Sequence, residues 1–275
     1  MKKIKNTLIY LLLIAGIFVV IGPFVYMFFT SLTTDNYSIP SPHKLIFDAK
    51  SFNNYSLAWS KNHFQQYFFN SIFITLITVV LAISLAASTA YAFARFTFPL
   101  KELLFKAFIF TMILPSLLNI IPQFTIIKAL GLVDTHAGLI LLYVGSGVVG
   151  GTFFIRGFFE RIPVELEESI VIDGGGRFTI FRSIYIPLSL PALGTWAILS
   201  FSGTWDEFTV ALTLLKTESL RTLPIALQLF RGQYATSYGL FFAASIIALI
   251  PIMVIFAVFQ KQFVNPNQSD GSVKG

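Results

Sequence analysis

The chain has no cysteine among its 275 residues and only three histidines, His43, His63 and His136. Disulfides, thiolate metal sites and cysteine nucleophiles are thereby excluded, and three scattered imidazoles make a metal centre improbable. Charge is scarce as well: Asp, Glu, Lys and Arg together make 12% of the chain, about half the share of an ordinary soluble domain. A soluble enzyme does not fit that composition. Nor is there a Gly-x-x-x-x-Gly-Lys-Ser/Thr loop to cradle phosphates. The run Gly174-Gly175-Gly176 leads into Arg177, with neither the strand nor the lysine such a loop needs. The chain is therefore expected to bind no nucleotide and to carry no catalytic residue of its own.

What is present is apolar: 55% hydrophobic residues, 31 phenylalanines and a mean hydropathy of +0.77. These values belong to polytopic membrane proteins. The net charge of +6 has a plainer use there than nucleic-acid binding, since basic residues beside spans fix orientation.

Lys2, Lys3 and Lys5 precede an apolar run from Leu8 to about Leu32, too long for a signal-peptide core of about 7 to 15 residues. It reads as an uncleaved first span, with Pro23 a possible kink. Residues 33–66 are polar and turn-rich, the longest external loop. Further spans are expected at Phe68–Ala94, Leu103–Ile121 (punctuated by Pro115 and Pro122), Ala137–Ile155, Leu190–Leu215 and Tyr238–Gln260, with a polar link from Lys216 to Thr236 before the last. The fourth contains Gly147-x-x-x-Gly151, a spacing that lets helices approach closely. The chain thus reads as all-α with six transmembrane helices and both termini on one side. That side carries 12 Lys/Arg against 7 on the other, so it is cytoplasmic.

One stretch breaks the pattern. Glu160, Glu165, Glu167, Glu168 and Asp173, five of the thirteen carboxylates, fall within fourteen residues, interleaved with Arg156, Arg161, Arg177 and Arg182. Such a segment must face water or a protein partner. Pro163 near a start and Gly174 to Gly176 as a stop predict a helix of about two to three turns, then a second helix ending at Pro187. Apolar and acidic positions on the first helix keep to no single stripe, so both faces are expected to be contacted. Phe178, Phe181 and Ile184 give the second an aromatic face.

The spacing here, Glu168 six residues before Gly174, ten more to Ile184, then Ile186-Pro187, resembles the EAA loop of binding-protein-dependent ABC importer permeases. That family has Glu-Ala-Ala, three residues, Gly, nine residues, Ile, one residue, Leu-Pro. The alanines are replaced by Ser169 and Ile170, the leucine by Ile186, and the commoner Asp-Gly-Ala-Ser by Asp173-Gly174-Gly175-Gly176. The chain is most similar to the carbohydrate subgroup, the maltose-type second permease. Asn70-Ser71, Ala90-Tyr-Ala-Phe-Ala-Arg95, Leu114-Pro115, Ile121-Pro122, Gly131-Leu-Val-Asp-Thr135, Trp205-Asp-Glu-Phe208 and the terminal Gly271-Ser-Val-Lys-Gly275 carry that similarity. Asp206 departs from the more usual Asn.

The resemblance implies a MetI-like permease fold, with an N-terminal helix and external loop at 1–66, a permease domain at 67–262 and a tail at 263–275. It implies a bacterial inner-membrane subunit importing a sugar or oligosaccharide. The expected partners are a second homologous permease, two cytoplasmic ATPase subunits that bind the ATP and magnesium, and an external solute-binding protein. Glu165, Glu167, Glu168, Ser169, Ile170, Asp173, Gly174, Ile184 and Pro187 would form the ATPase-coupling loop. A glycerol phosphate permease is the near alternative and an ion-driven transporter the distant one.

Asp206 and Glu207 stand about fifteen residues beyond Pro191, which at about 1.5 Å per residue is roughly 22 Å into a core about 30 Å thick. A carboxylate there is expensive unless it faces a cavity or a partner. They are expected, with Trp205 and Phe208, to line a substrate pathway, the aromatics stacking on sugar rings. The alternative is a pair bonded to neighbouring helices.

Overall fold

The computed structural model describes residues 2–33, 51–61, 63–233 and 237–260, and among them it is helical with no extended strand. Thus His43 and the terminal Gly271–Gly275 lie outside the described residues. Among the described residues four helices are long and apolar enough to cross a membrane: Ile9–Ser31 within α1 (Lys2–Ser31), α3 (Phe64–Arg95), α6 (His136–Phe159) and α12 (Tyr238–Phe259). Two further helices, α8 (Arg177–Leu188) and α9 (Leu190–Trp205), are bent by 74° to one another and would add a fifth crossing if taken as one span.

The third expected span is not one helix. It divides into α4 (Lys101–Ile113) and α5 (Ile120–Ala129), with a short 3₁₀ turn at Ser116–Asn119 between them. Leu114, before Pro115, is in extended backbone at φ −69°, ψ 128°, the region a following proline favours. Thirteen helical residues reach about 20 Å, short of a bilayer core. The span expected at 190–215 is likewise cut after Trp205, α10 (Thr209–Leu214) resuming the chain beyond it. The polar link holds a helix too, α11 (Leu223–Gln233), and the external loop holds α2 (Asn53–Ser60).

The chain packs as two units. In the first (residues 1–68 and 225–250), α1 shows none of its most apolar window buried. The end of α1 is tied to α2: the Asn54 amide donates to the carbonyls of Ser31 and Thr33 at 2.9 Å each, and Ser31 Oγ lies 2.7 Å from the Tyr55 hydroxyl. Trp59 then packs on Phe64 and Phe68.

In the second unit (residues 69–224 and 251–275) α3, α6 and α9 pack closely. A Cβ at Gly147 would fall 2.9 Å from the Ala82 methyl, and one at Gly151 2.6 Å from that of Ala86 and 2.6 Å from the Trp196 indole nitrogen. The small-residue spacing is thus a contact surface for α3 and α9. Thr89 and Thr152 add a hydroxyl pair at 2.9 Å. Around the lower ends of these helices lies an apolar core of Ala86, Ala90, Tyr91, Ile155, Phe159, Ile180, Ile184 and Tyr185.

Candidate functional site

The charged loop is built on that core. α7 (Glu165–Ile172) begins with three glutamates in its first turn, which suits the positive end of a helix dipole. It closes with a Schellman arrangement: Gly174 N–H donates to the Val171 carbonyl (3.0 Å) and Gly175 N–H to that of Ile170 (2.8 Å). This closure requires a left-handed residue, and Gly174 has φ +77°. Asp173, expected inside the helix, is its C-cap. α8 then runs beyond Pro187, where it was expected to end, to Leu188. It passes through a π-helical stretch at Phe181–Tyr185 just ahead of Pro187, whose missing N–H interrupts the regular ladder.

Of the loop's carboxylates Glu167 turns inward, with 6% exposure. Arg95 Nε lies 3.1 Å from its Oε1 and Arg177 Nη1 3.3 Å from its Oε2. The Tyr185 hydroxyl also donates to it, in a short hydrogen bond. Arg95 in turn donates to the carbonyls of Phe159 and Ile162 at the end of α6, and its guanidinium lies 5.3 Å from the Tyr185 ring centre. One guanidinium therefore joins the end of α3, the end of α6 and α7, and Glu167 carries the connection on to α8. Arg95 and Glu167 pair by proximity of charge, without an aligned Nε–H hydrogen bond; the carboxylate accepts from Arg177 and Tyr185, and the guanidinium donates to the two carbonyls.

Within this chain, among the described residues, one side of α7 is packed and the other carries none of the chain's own residues. Ile170 packs on the core with Ile184. Glu165, Glu168, Ser169 and Asp173 are exposed, and beside them stand Val171 at 57%, Ile172 at 84% and, across the glycines, Phe178 at 73%. An apolar tip rimmed by acids is the make-up of a protein-binding patch.

A cavity of about 380 Å³ lies between α5, α6, α9 and α10. Of the four residues expected to line a pathway, Glu207 lines it. Trp205 is 3% exposed and stacked on Phe201, ring centres 5.6 Å apart. Asp206 is exposed as the C-cap of α9, and neither it nor Phe208 borders the cavity. Glu207 is in the break between helices, not within one. Its carboxylate accepts from the amides of Val210 (2.7 Å) and Ala211 (3.0 Å), closing the start of α10, and from the Tyr143 hydroxyl at 2.5 Å.

A third cluster joins loops at the other ends of these helices. Asp134, at φ 61°, accepts from the amides of Lys216 (2.7 Å) and Thr217 (2.9 Å) and from the Thr217 hydroxyl (2.5 Å). The hydroxyl first, then these amides, holds its carboxyl below the usual carboxylate range. Asn70 donates to the carbonyls of Ser219 and Arg221, and Ser71 accepts from the amide of Leu223.

The family described as binding-protein-dependent transport system inner membrane component matches residues 83–265. This chain belongs to that family. Its relatives include the trehalose transport system permease protein SugB of Mycobacterium tuberculosis, 36% identical over 92% of each chain. Another is the melibiose/raffinose/stachyose import permease protein MelC of Bacillus subtilis, 34% identical over 92% of this chain and 91% of that one. In fold the permease is similar to a chain in the crystal structure of a bacterial ABC transporter involved in alginate import. That likeness has a TM-score of 0.81 at 24% identity, over 95% of this chain and 97% of the other.

The permease is thus a multi-pass membrane protein and a transport component. Arg95, Tyr143 and Asp134 were not expected as site residues. The lone arginine closing Ala90–Arg95 was the available signal, since a charge at the end of an apolar helix needs a partner.

Proposed function

We propose that the permease is one half of the pore of an ATP-driven importer for a sugar or oligosaccharide delivered by an external binding protein. The ion-driven alternative falls with membership in a binding-protein-dependent family. The relatives named for trehalose and for melibiose, raffinose and stachyose support a sugar. So does the cavity, whose lining among the described residues holds a carboxylate and no lysine or arginine to pair with a phosphate.

The observation that carries the coupling role is the two-sidedness of α7. Glu167 fixes one side into three helix ends, while Glu165, Glu168, Ser169, Asp173 and the tip at Ile172 are left to a partner. In this reading two separate cytoplasmic ATPase subunits bind the ATP and magnesium, and a second homologous permease completes the pore. Both termini are cytoplasmic. Closure of the ATPases would move α7, and Glu167 with Arg95 would carry that displacement into α3, α6 and α8, with Gly174 and Pro187 as bends.

Glu168→Lys and Gly174→Pro test this. Both variants should reach the membrane and yet import at under a tenth of the normal rate per copy, because one reverses a charge on the free face and the other cannot adopt φ +77°. Normal uptake in both, with the ATPase still co-purifying, would remove the coupling assignment.

A further inference from the structure

Hydroxyls on apolar helices ordinarily turn back onto their own backbone, since nothing else in a bilayer satisfies them. The permease does this repeatedly: Ser84 to Val80, Ser88 to Ser84, Thr89 to Leu85, Thr195 to Pro191 and Ser245 to Phe241, at 2.5–2.9 Å. Ser146, Ser200 and Thr204 do not. Among the described residues none of their hydroxyls makes a hydrogen bond, and all three line the cavity that holds Glu207, joined by the Gln123 amide, which is also unbonded there. The hydroxyls of Thr75, Thr78 and Ser202 also have no partner among the described residues, but none of them lines this cavity.

These four groups, with the Thr209 hydroxyl and the Trp196 indole N–H that line the same cavity unbonded, would each be costly against hydrocarbon. They are inexpensive against water or a polyhydroxylated solute. Each hydroxyl can donate one bond and accept two, and the amide can do both. Glu207, held by three donors, keeps unused lone-pair capacity at the same wall. Leu142 and Leu199 supply apolar surface between them, and alternating apolar and hydrogen-bonding surface is what a sugar ring presents.

We propose that this cavity is a sugar-contact site of the permease itself, in which Ser146, Ser200, Thr204 and Gln123 exchange hydrogen bonds with the hydroxyls of the passing solute. The proposal rests on the reading of the chain as a sugar permease and adds where, and through which groups, the sugar is met.

The cysteine-free chain makes the test direct. Single cysteines are placed by Ser200→Cys and Thr204→Cys, and by Ser84→Cys as the back-bonded control, in the assembled transporter in lipid. Each is exposed to a charged, water-soluble methanethiosulfonate. Residues 200 and 204 should react at least about ten-fold faster than 84. Equal or slower reaction overturns the proposal. In a second arm the Ser146→Ala, Ser200→Ala, Thr204→Val triple variant is assayed for uptake of trehalose and melibiose per assembled complex. Three lost hydrogen bonds should lower uptake about ten-fold or more. Reactive thiols with unchanged uptake in the triple variant would sink the contact and leave the sugar reading standing. Import of no sugar from a panel of mono- and oligosaccharides by the unmodified transporter would sink that reading and the contact with it.

Discussion

At residue scale the departures from the family's loop pattern explain one another. Where that pattern has alanine the permease has Ile170, and where it commonly has Asp-Gly-Ala it has Gly175. A Cβ at Gly175 would lie 2.4 Å from Ile170 Cγ2 and 3.0 Å from its carbonyl oxygen. The branched side chain has taken the volume that an alanine at 175 would fill, so the two substitutions are coupled. Gly175→Ala alone should destabilise the loop by about 1–3 kcal/mol through overpacking. Adding Ile170→Ala should recover part of that loss despite removing apolar surface, a non-additivity that a double-mutant cycle of thermal unfolding would register. Strict additivity would mean the two positions do not share this space.

Among the elements, the joint made by Arg95 and Glu167 ties the loop to the ends of α3 and α6. Removing one partner of a buried pair leaves the other charge uncompensated, at about 3–5 kcal/mol when no second partner exists. Arg177 also reaches Glu167, so Arg95→Ala should cost less than that. Arg95→Ala with Arg177→Ala should cost more than the sum of the two single changes. Glu167→Gln, which keeps the Tyr185 contact, should be milder than Glu167→Ala. The yield of folded permease and its melting temperature measure this series. Equal melting temperatures for all the variants would show that the joint is dispensable.

These two scales also mark what could be read in advance. Apolar runs placed α1, α3, α6 and α12 within a few residues, because a membrane span declares itself in one dimension. The cut in the third span was signalled by Pro115 and Pro122 but not foreseen as a division into α4 and α5. α11 was hidden because a helix with one apolar side looks polar on average. Glu168 stood out by spacing and Glu167 did not, since burial depends on an arginine 72 positions earlier. Likewise Glu207 was legible as an unusual charge in an apolar region. That it closes α10 and meets Tyr143 depends on a chain break the pattern did not show.

For the whole molecule the central claim is that an ATPase docks on the exposed side of α7, from the cytoplasm. Ile172 is the position to ask, being 84% exposed at the tip of that helix in a chain without another thiol. Ile172→Cys would be labelled with a membrane-impermeant maleimide in inside-out and right-side-out vesicles, before and after the peripheral ATPase subunits are stripped with urea. The account predicts labelling only in inside-out vesicles, strong after stripping and suppressed when the ATPase is added back. Labelling from the outer face, or labelling indifferent to the ATPase, would contradict it.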